Sequence, residues 1–183
     1  RGQTGLEAVV VELAFVQVLK LQGHYGPALE LLLEVEKRVQ QLRNPALTFR
    51  WRLLEYELRF ESEAMQDPLA LLEGLRASLR APGLAQFEAW PDYYAQWFLF
   101  MEGQTKEARK LCEQVIQRAR EAGDRRLLAQ ALNDLALEAY LSGDSELAFE
   151  RVTESLAVAE QISNLHYVAL GLELQGRVLL EDG

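Results

Sequence analysis

The chain has 183 residues, 49% of them hydrophobic and 26% charged, a balance that excludes a disordered or fibrous chain. Its formal net charge of −9 opposes binding to nucleic acid or to an anionic membrane surface, so we expect neither partner. No segment holds the roughly 18 uninterrupted apolar residues that a membrane-spanning helix needs.

Apolar residues at helical spacing predict an all-α chain. Leu128, Leu132 and Leu135, for example, follow the spacing of one helical face, and no β-branched residues alternate with polar ones as in a strand. In chain order we predict helices near 5–22, 25–42, 46–65, 68–80, 91–102, 105–122, 125–142, 145–162 and 165–181.

Three residue markers recur with a 40-residue period. A glycine suits the left-handed end of a helix, an alanine follows each internal glycine after five residues, and Asn or Asp suits a helix N-cap. Together they predict a repeat of cap, helix, glycine turn and helix. The positions are Gly23, Gly103, Gly143 and Gly183; Ala28, Ala108 and Ala148; and Asn44, Asp124 and Asn164.

The second repeat departs from this pattern. Glu63 and Leu84 occupy the slots where a turn glycine and an N-cap are expected, and Asp67-Pro68 replaces the glycine turn. Pro82 then interrupts the following helix. We therefore predict a shortened second helix and a loop over 81–90 in this repeat.

The segments 23–28, 103–108 and 143–148 resemble the inter-helix turn of the tetratricopeptide repeat, in which glycine ends one helix and alanine lets the next pack closely. Ala136 and Gly176 match the small residue in the middle of the first helix, whereas four positions depart from the family pattern: Val16, Tyr56, Gln96 and Leu132. The resemblance implies an all-α, right-handed superhelical array of antiparallel helix hairpins.

We predict a single domain over 1–183 with about four and a half repeats: 4–43, 44–83, 84–123, 124–163 and a half repeat 164–183. Because the chain begins at Arg1 rather than Met, we expect it to be part of a longer protein. The period exceeds the standard 34 residues, and the long helices resemble the sensor segments of large bacterial transcription activators. That likeness implies a bacterial, cytoplasmic protein, and the single cysteine also suits a reducing compartment.

No motif predicts catalysis, a metal site or a cofactor. His24 and His166 are 142 residues apart, and neither has Cys, Asp or Glu neighbours at metal-ligand spacing. Cys112 lies on an apolar helical stripe, which favours a core residue over a reactive thiol. The chain is therefore predicted not to be an enzyme.

Four arginines flank the predicted helix end at Gly123: Arg118, Arg120, Arg125 and Arg126. Cations near a helix C-terminus complement its dipole, so we favour a structural role for this run. A patch that binds phosphate or an acidic peptide is the alternative.

An aromatic stripe over 90–101 is the strongest candidate for a binding surface. The resemblance implies that the first helix of each repeat lines a concave groove. It places Trp90, Tyr93, Trp97 and Met101 on that groove, together with Asn133, Tyr140, Lys20, Arg50 and Arg177. Aromatic side chains beside polar ones are typical of binding hot spots, although the same rings could instead fill the core between repeats.

The leading functional hypothesis is a non-catalytic scaffold that binds a protein or peptide in this groove, within a larger regulatory protein. The alternative is a small-ligand-sensing regulatory domain of a bacterial transcription activator. The final predicted helix carries apolar residues at helical spacing, so self-association through it is also expected. Those residues are Val168, Leu172, Leu179 and Leu180, and Gly183 would begin the turn after this helix.

Overall fold

The computed structural model describes residues 2–62 and 67–181, and this part of the chain is helical with no strand. Its nine α-helices are α1 (Gly2–Leu21), α2 (Tyr25–Leu42), α3 (Pro45–Glu61), α4 (Pro68–Ser78), α5 (Trp90–Met101), α6 (Thr105–Ala122), α7 (Arg125–Leu141), α8 (Ser145–Gln161) and α9 (Leu165–Glu181). The predicted all-α helical repeat is confirmed. Glu63 and Gly183, two of the repeat markers, lie outside the described residues.

Helix starts follow the 40-residue period. Helices α2, α6 and α8 begin at residues 25, 105 and 145, and α3, α7 and α9 begin at 45, 125 and 165. The predicted N-caps hold these starts, because each side chain accepts from a backbone N–H in the first turn. The acceptor-to-nitrogen distances are 3.2 Å for Asn44, 3.0 Å for Asp124 and 3.4 Å for Asn164.

The glycine turns have the predicted left-handed geometry. Gly23, Gly103 and Gly143 have φ angles of 76°, 77° and 78°, which a side chain would strain. The alanine five residues after each of these glycines is buried, which lets the second helix of each hairpin pack closely on the first.

A second left-handed position also recurs every 40 residues, and the sequence markers did not include it. Arg43, Gly83, Gly123 and Ser163 have φ angles of 48°, 84°, 69° and 54°, and each ends the second helix or the loop that follows it. Two of the four are not glycine, so the turn geometry is set by the repeat even where the residue disfavours it by about 1–2 kcal/mol.

The second repeat is irregular in the predicted way. Helix α4 has 11 residues, and the Asp67 side chain caps it by accepting from the Ala70 amide at 2.9 Å. A loop follows it and contains a short 3-10 turn at Ala85–Phe87. Helix α5 then starts at Trp90, five residues later than the period places the other first helices.

The chain forms two compact units, Arg1–Ala85 and Gln86–Gly183, called here the first unit and the second unit. The single domain stays a prediction. In the first unit, side chains of α1, α2 and α3 form the core, and the Trp51 indole donates to the Leu32 carbonyl at 2.8 Å. This core contains Val9, Leu13, Val16, Ala28, Leu32, Val35, Val39, Leu47, Trp51, Leu54 and Leu58.

The second unit repeats that contact with other residues. The Cys112 thiol donates to the Ala131 carbonyl at 3.4 Å, and these residues follow Leu32 and Trp51 by 80 positions each. Burial raises the pKa of the thiol, so Cys112 is a core residue, as predicted, rather than a reactive one. Small side chains allow close helix contacts in this unit, among them Ala136, Ala139, Ala148 and Val152.

Two glycines of α9 provide a matched stability test. A Cβ at Gly171 would lie 2.8 Å from Leu156 Cδ2 and 2.9 Å from its Cγ, whereas one at Gly176 would meet no described atom within 4 Å. We expect Gly171→Ala to lower the free energy of unfolding by about 1–2 kcal/mol, because overpacking outweighs the gain in helix propensity. Gly176→Ala should raise it by about 0.5–1 kcal/mol. Urea unfolding of both variants checks this, and equal shifts would contradict the packing assigned to Gly171.

Candidate functional site

The aromatic stripe of α5 divides between core and surface. Trp90 is 2% exposed and Tyr93 is 6% exposed, so the structure corrects the prediction that these two rings line a groove. The Trp90 indole donates to Asp124 Oδ2 at 2.8 Å, and the Arg126 guanidinium lies 5.2 Å from its ring centre. Trp90 therefore joins the start of α5 to the N-terminus of α7.

Trp97 and Met101 lie further along α5 and reach the surface. Trp97 is half-buried, and Met101 is 75% exposed. The Trp97 indole donates to Asp134 Oδ2 at 3.1 Å, and the buried Tyr93 hydroxyl also hydrogen-bonds to this carboxylate. Asp134 thus fixes the indole edge of Trp97 and leaves part of its ring accessible.

Asp134 is a candidate site residue that the sequence reasoning missed. Part of its side chain reaches solvent, in a cleft between α5 and α7 lined by Gln96, Trp97, Phe100, Leu137 and Glu138. Enough protein surrounds the carboxylate that desolvation raises its pKa to about 7, from an ordinary value of 3.8, while the bonds from Tyr93 and Trp97 act in the opposite direction. The signal in the sequence was an acidic residue within the apolar run of α7.

Glu138, one turn further along α7, is already neutralised. Arg109 on α6 approaches both carboxylate oxygens, at 2.8 Å and 3.0 Å, and the Ser142 hydroxyl lies 3.2 Å from one of them. The bidentate geometry makes this a strong ion pair. The two acidic groups of the cleft therefore differ, since Glu138 has a cation and Asp134 has none among the described residues.

A second groove of about 190 Å3 runs between α7 and α9. Asn133 lies in it, is 7% exposed, and has an Oδ1 atom with no hydrogen-bond partner in the described part of the chain. One turn earlier, Gln130 Nε2 lies 2.5 Å from the Tyr167 hydroxyl, and its buried Oε1 likewise has no partner there. The groove is lined by Asn133, Leu137, Leu170, Glu173, Leu174 and Arg177.

The remaining predicted site residues lie in different surroundings. Arg177 is exposed at the edge of this groove and pairs with Glu173 at 2.6 Å, while Tyr140 is half-buried on α7. Lys20 and Arg50 belong to the first unit, where Lys20 forms an ion pair with the buried Glu57 at 2.6 Å. The structure therefore brings Trp97, Asn133 and Arg177 onto first helices of the second unit.

The arginine run near Gly123 has partners within the second unit. Arg118 pairs with Asp92 at 2.6 Å, Arg120 pairs with Glu154 at 2.5 Å, and Arg125 bonds to Gln161. Arg126 lies over the Trp90 ring. These contacts favour the structural interpretation over a phosphate-binding patch.

Within the described ranges, no group of three or more His, Cys, Asp and Glu side chains could hold a metal ion. His24 and His166 are both exposed and belong to different units. In the same part of the chain, no helix is long and apolar enough to cross a membrane.

The architecture defines a helical-repeat protein, and comparison with known proteins identifies the kind of repeat. Residues 94–161 match the model of the tetratricopeptide repeat family. Seventeen chains of solved structures match, among them nearly identical TPR-like repeats of a candidate kinesin light chain from Podospora anserina. That match has 16% identity and a TM-score of 0.55 over 93% of this chain and 87% of the other. No curated protein matches. The chain is a TPR-like helical-repeat protein.

Proposed function

We propose that the chain is a non-catalytic scaffold that binds a protein or peptide. Tetratricopeptide-like repeats generally mediate protein–protein interactions, and the fold is typically not catalytic. The proposed binding surface is the first-helix face of the second unit, defined by Trp97 and Met101 on α5, Asn133 on α7, and Leu170 and Arg177 on α9.

The unpartnered amide oxygen of Asn133 is the observation that carries the proposal. A buried acceptor without a partner costs about 1–3 kcal/mol, so a ligand that supplies a donor regains that energy. The backbone N–H of an extended peptide is such a donor. Beside Asn133, the apolar side chains of Leu137, Leu170 and Leu174 offer a place for one side chain of the same peptide.

Exposed hydrophobic groups extend this surface along α5. Met101 is flexible and highly exposed, and the accessible part of the Trp97 ring is fixed by its bond to Asp134. Rigid aromatic rings and adaptable methionines are common in protein-binding surfaces. The predicted anchors on this helix are therefore reduced to Trp97 and Met101.

The alternative is a small-ligand sensor within a bacterial transcription activator. Pockets that enclose small ligands have volumes of about 300–1,000 Å3, whereas the groove beside Asn133 has about 190 Å3 and is open. This size favours single side chains of a longer partner over an enclosed metabolite. The bacterial and cytoplasmic setting belongs to the same proposal.

The proposed function can be tested by selecting binders from a random peptide library displayed on phage. Synthetic copies of the selected peptides should bind Asn133→Ala about tenfold more weakly than the unaltered chain, because one hydrogen bond in a desolvated groove is lost. Gln86→Ala removes an exposed amide in the same unit and should leave affinity unchanged. Calorimetry measures both. Selected peptides that bind all three proteins equally would reject the groove as the binding site.

Self-association through α9 is a separate proposal. Its outer side exposes Leu165, Leu172, Leu179 and Leu180, and an apolar patch of this kind is a sticky surface. Sedimentation velocity should therefore show concentration-dependent association that the Leu172→Glu and Leu179→Glu double variant abolishes. A chain that stays monomeric at every concentration would contradict it.

A further inference from the structure

The cleft between α5 and α7 has features that the groove beside Asn133 lacks. Its aromatic wall is formed by Trp97 and Phe100, whose ring centres are 6.0 Å apart with the planes at 87°. Gln96 lines the same cleft, is 6% exposed, and has a buried amide nitrogen with no partner among the described residues. Asp134 supplies a carboxylate opposite these groups.

The Asp134 carboxylate has acceptor capacity left. It accepts bonds from the Trp97 indole and the Tyr93 hydroxyl, and a carboxylate offers about four acceptor positions. Within the described ranges, no basic side chain pairs with it, and the only cation near the cleft, Arg109, is bound to Glu138. A cation that entered the cleft would therefore meet an uncompensated negative group.

The charge of the chain is concentrated in the second unit. Residues 86–183 contain 9 Lys and Arg against 17 Asp and Glu, a net charge of −8, whereas residues 1–85 contain 10 against 11, a net charge of −1. Such a field attracts basic partners and raises their association rate.

We propose that the α5–α7 cleft receives a basic side chain, lysine or arginine, of a peptide partner. The proposal rests on the proposed function and names the chemistry of the partner. The cation would face the Trp97 and Phe100 rings, where its interaction with the π faces is favourable, and would donate to Asp134 in a charge-assisted bond. A half-turn of the Gln96 amide exchanges its oxygen and nitrogen, so its oxygen can accept a further bond.

Other side chains fit the cleft less well. An acidic group would face Asp134 and Glu138, and their like charge disfavours its entry. An apolar group would leave the Gln96 amide and the free acceptor positions of Asp134 unpartnered while covering them from water, which costs free energy. A cationic group satisfies both polar residues and also contacts the rings.

The indole N–H of Trp97 reports directly on this cleft, because it donates to Asp134. In a 15N spectrum of the whole chain, the three indole signals can be assigned by Trp97→Phe and Trp90→Phe. We expect N-acetylarginine amide or N-acetyllysine amide to shift the Trp97 signal saturably, at concentrations on the order of millimolar. N-acetylcitrulline amide, which has nearly the shape of the arginine probe without its charge, should bind at least about tenfold more weakly.

Asp134→Asn and Glu146→Gln form the matched pair of variants. Asparagine keeps an acceptor for Trp97 and Tyr93 and removes the charge, so the basic probes should bind at least about tenfold more weakly. Glu146 is exposed on α8, and removing its charge should leave the titration unchanged. Equal shifts with citrulline and arginine probes, no shift by either basic probe, or unchanged binding to Asp134→Asn would each overturn the proposal.

Failure of this inference and of the proposed function would be distinguishable. Library peptides that depend on Asn133, lack Lys and Arg, and bind Asp134→Asn normally would leave the proposed function intact and reject the basic-side-chain cleft. Specific binding of the arginine probe without any Asn133-dependent peptide would have the opposite meaning.

Discussion

Replacing Trp90 with alanine is expected to lower the free energy of unfolding by about 3–5 kcal/mol. The ring is fully buried and contacts Tyr93 and Tyr94, with ring centres 5.9 Å and 6.1 Å away. The variant also loses the indole donor to Asp124, which caps α7. Urea unfolding followed by circular dichroism measures the change.

Trp97→Ala is the matched control, because this ring is partly accessible and its loss empties a cleft that is already open. It should lower stability clearly less than Trp90→Ala and should weaken peptide binding. Equal losses of stability in the two variants would contradict the division of the aromatic stripe into core and surface.

Asp134→Asn is expected to stabilise the chain at pH 8 and to have little effect at pH 5. The pKa of this carboxyl is raised from 3.8 to about 7, so the folded state holds a proton that the unfolded state has released. The resulting stabilisation is present below about pH 4 and is lost as pH rises through about 7. Asparagine avoids this loss, and the gain at pH 8 should be about 2–4 kcal/mol after allowance for partial exposure.

The titratable groups around Asp134 do not obscure this window. Tyr93 on α5 and Cys112 on α6 both have raised pKa values because of burial, so both stay neutral up to pH 8. On α7 itself, Glu138 is held by Arg109. Glu146→Gln should show no such pH dependence. A stability difference between the chain and Asp134→Asn that is equal at pH 5 and pH 8 would contradict the raised pKa.

The fold could be predicted because its turns need particular residues. A left-handed turn favours glycine and an N-cap favours Asn or Asp, so Gly103, Gly143 and Asp124 reveal the period without any tertiary information. The second left-handed series was missed for the same reason. Arg43 and Ser163 adopt that geometry without being glycine, because the packed helices on both sides fix it.

The candidate site was harder to predict because helical periodicity does not show which side of a first helix is covered. Tyr93 and Trp97 are four residues apart on one face of α5, yet Tyr93 is buried and Trp97 is partly exposed. That difference depends on what α7 and α9 place against each ring. Asp134 was missed because its importance comes from the Trp97 and Tyr93 bonds made across helices, which no local pattern encodes.

Mapping a selected peptide on the chain by NMR tests the central claim most directly. Addition of the peptide to the 15N-labelled chain should shift amide signals on the first-helix face of the second unit, including Asn133, Leu170 and the indole of Trp97. Signals on the outer sides of α6 and α8 should stay unchanged. Shifts concentrated on α6 and α8, or confined to the first unit, would contradict the assignment of the binding surface to α5, α7 and α9.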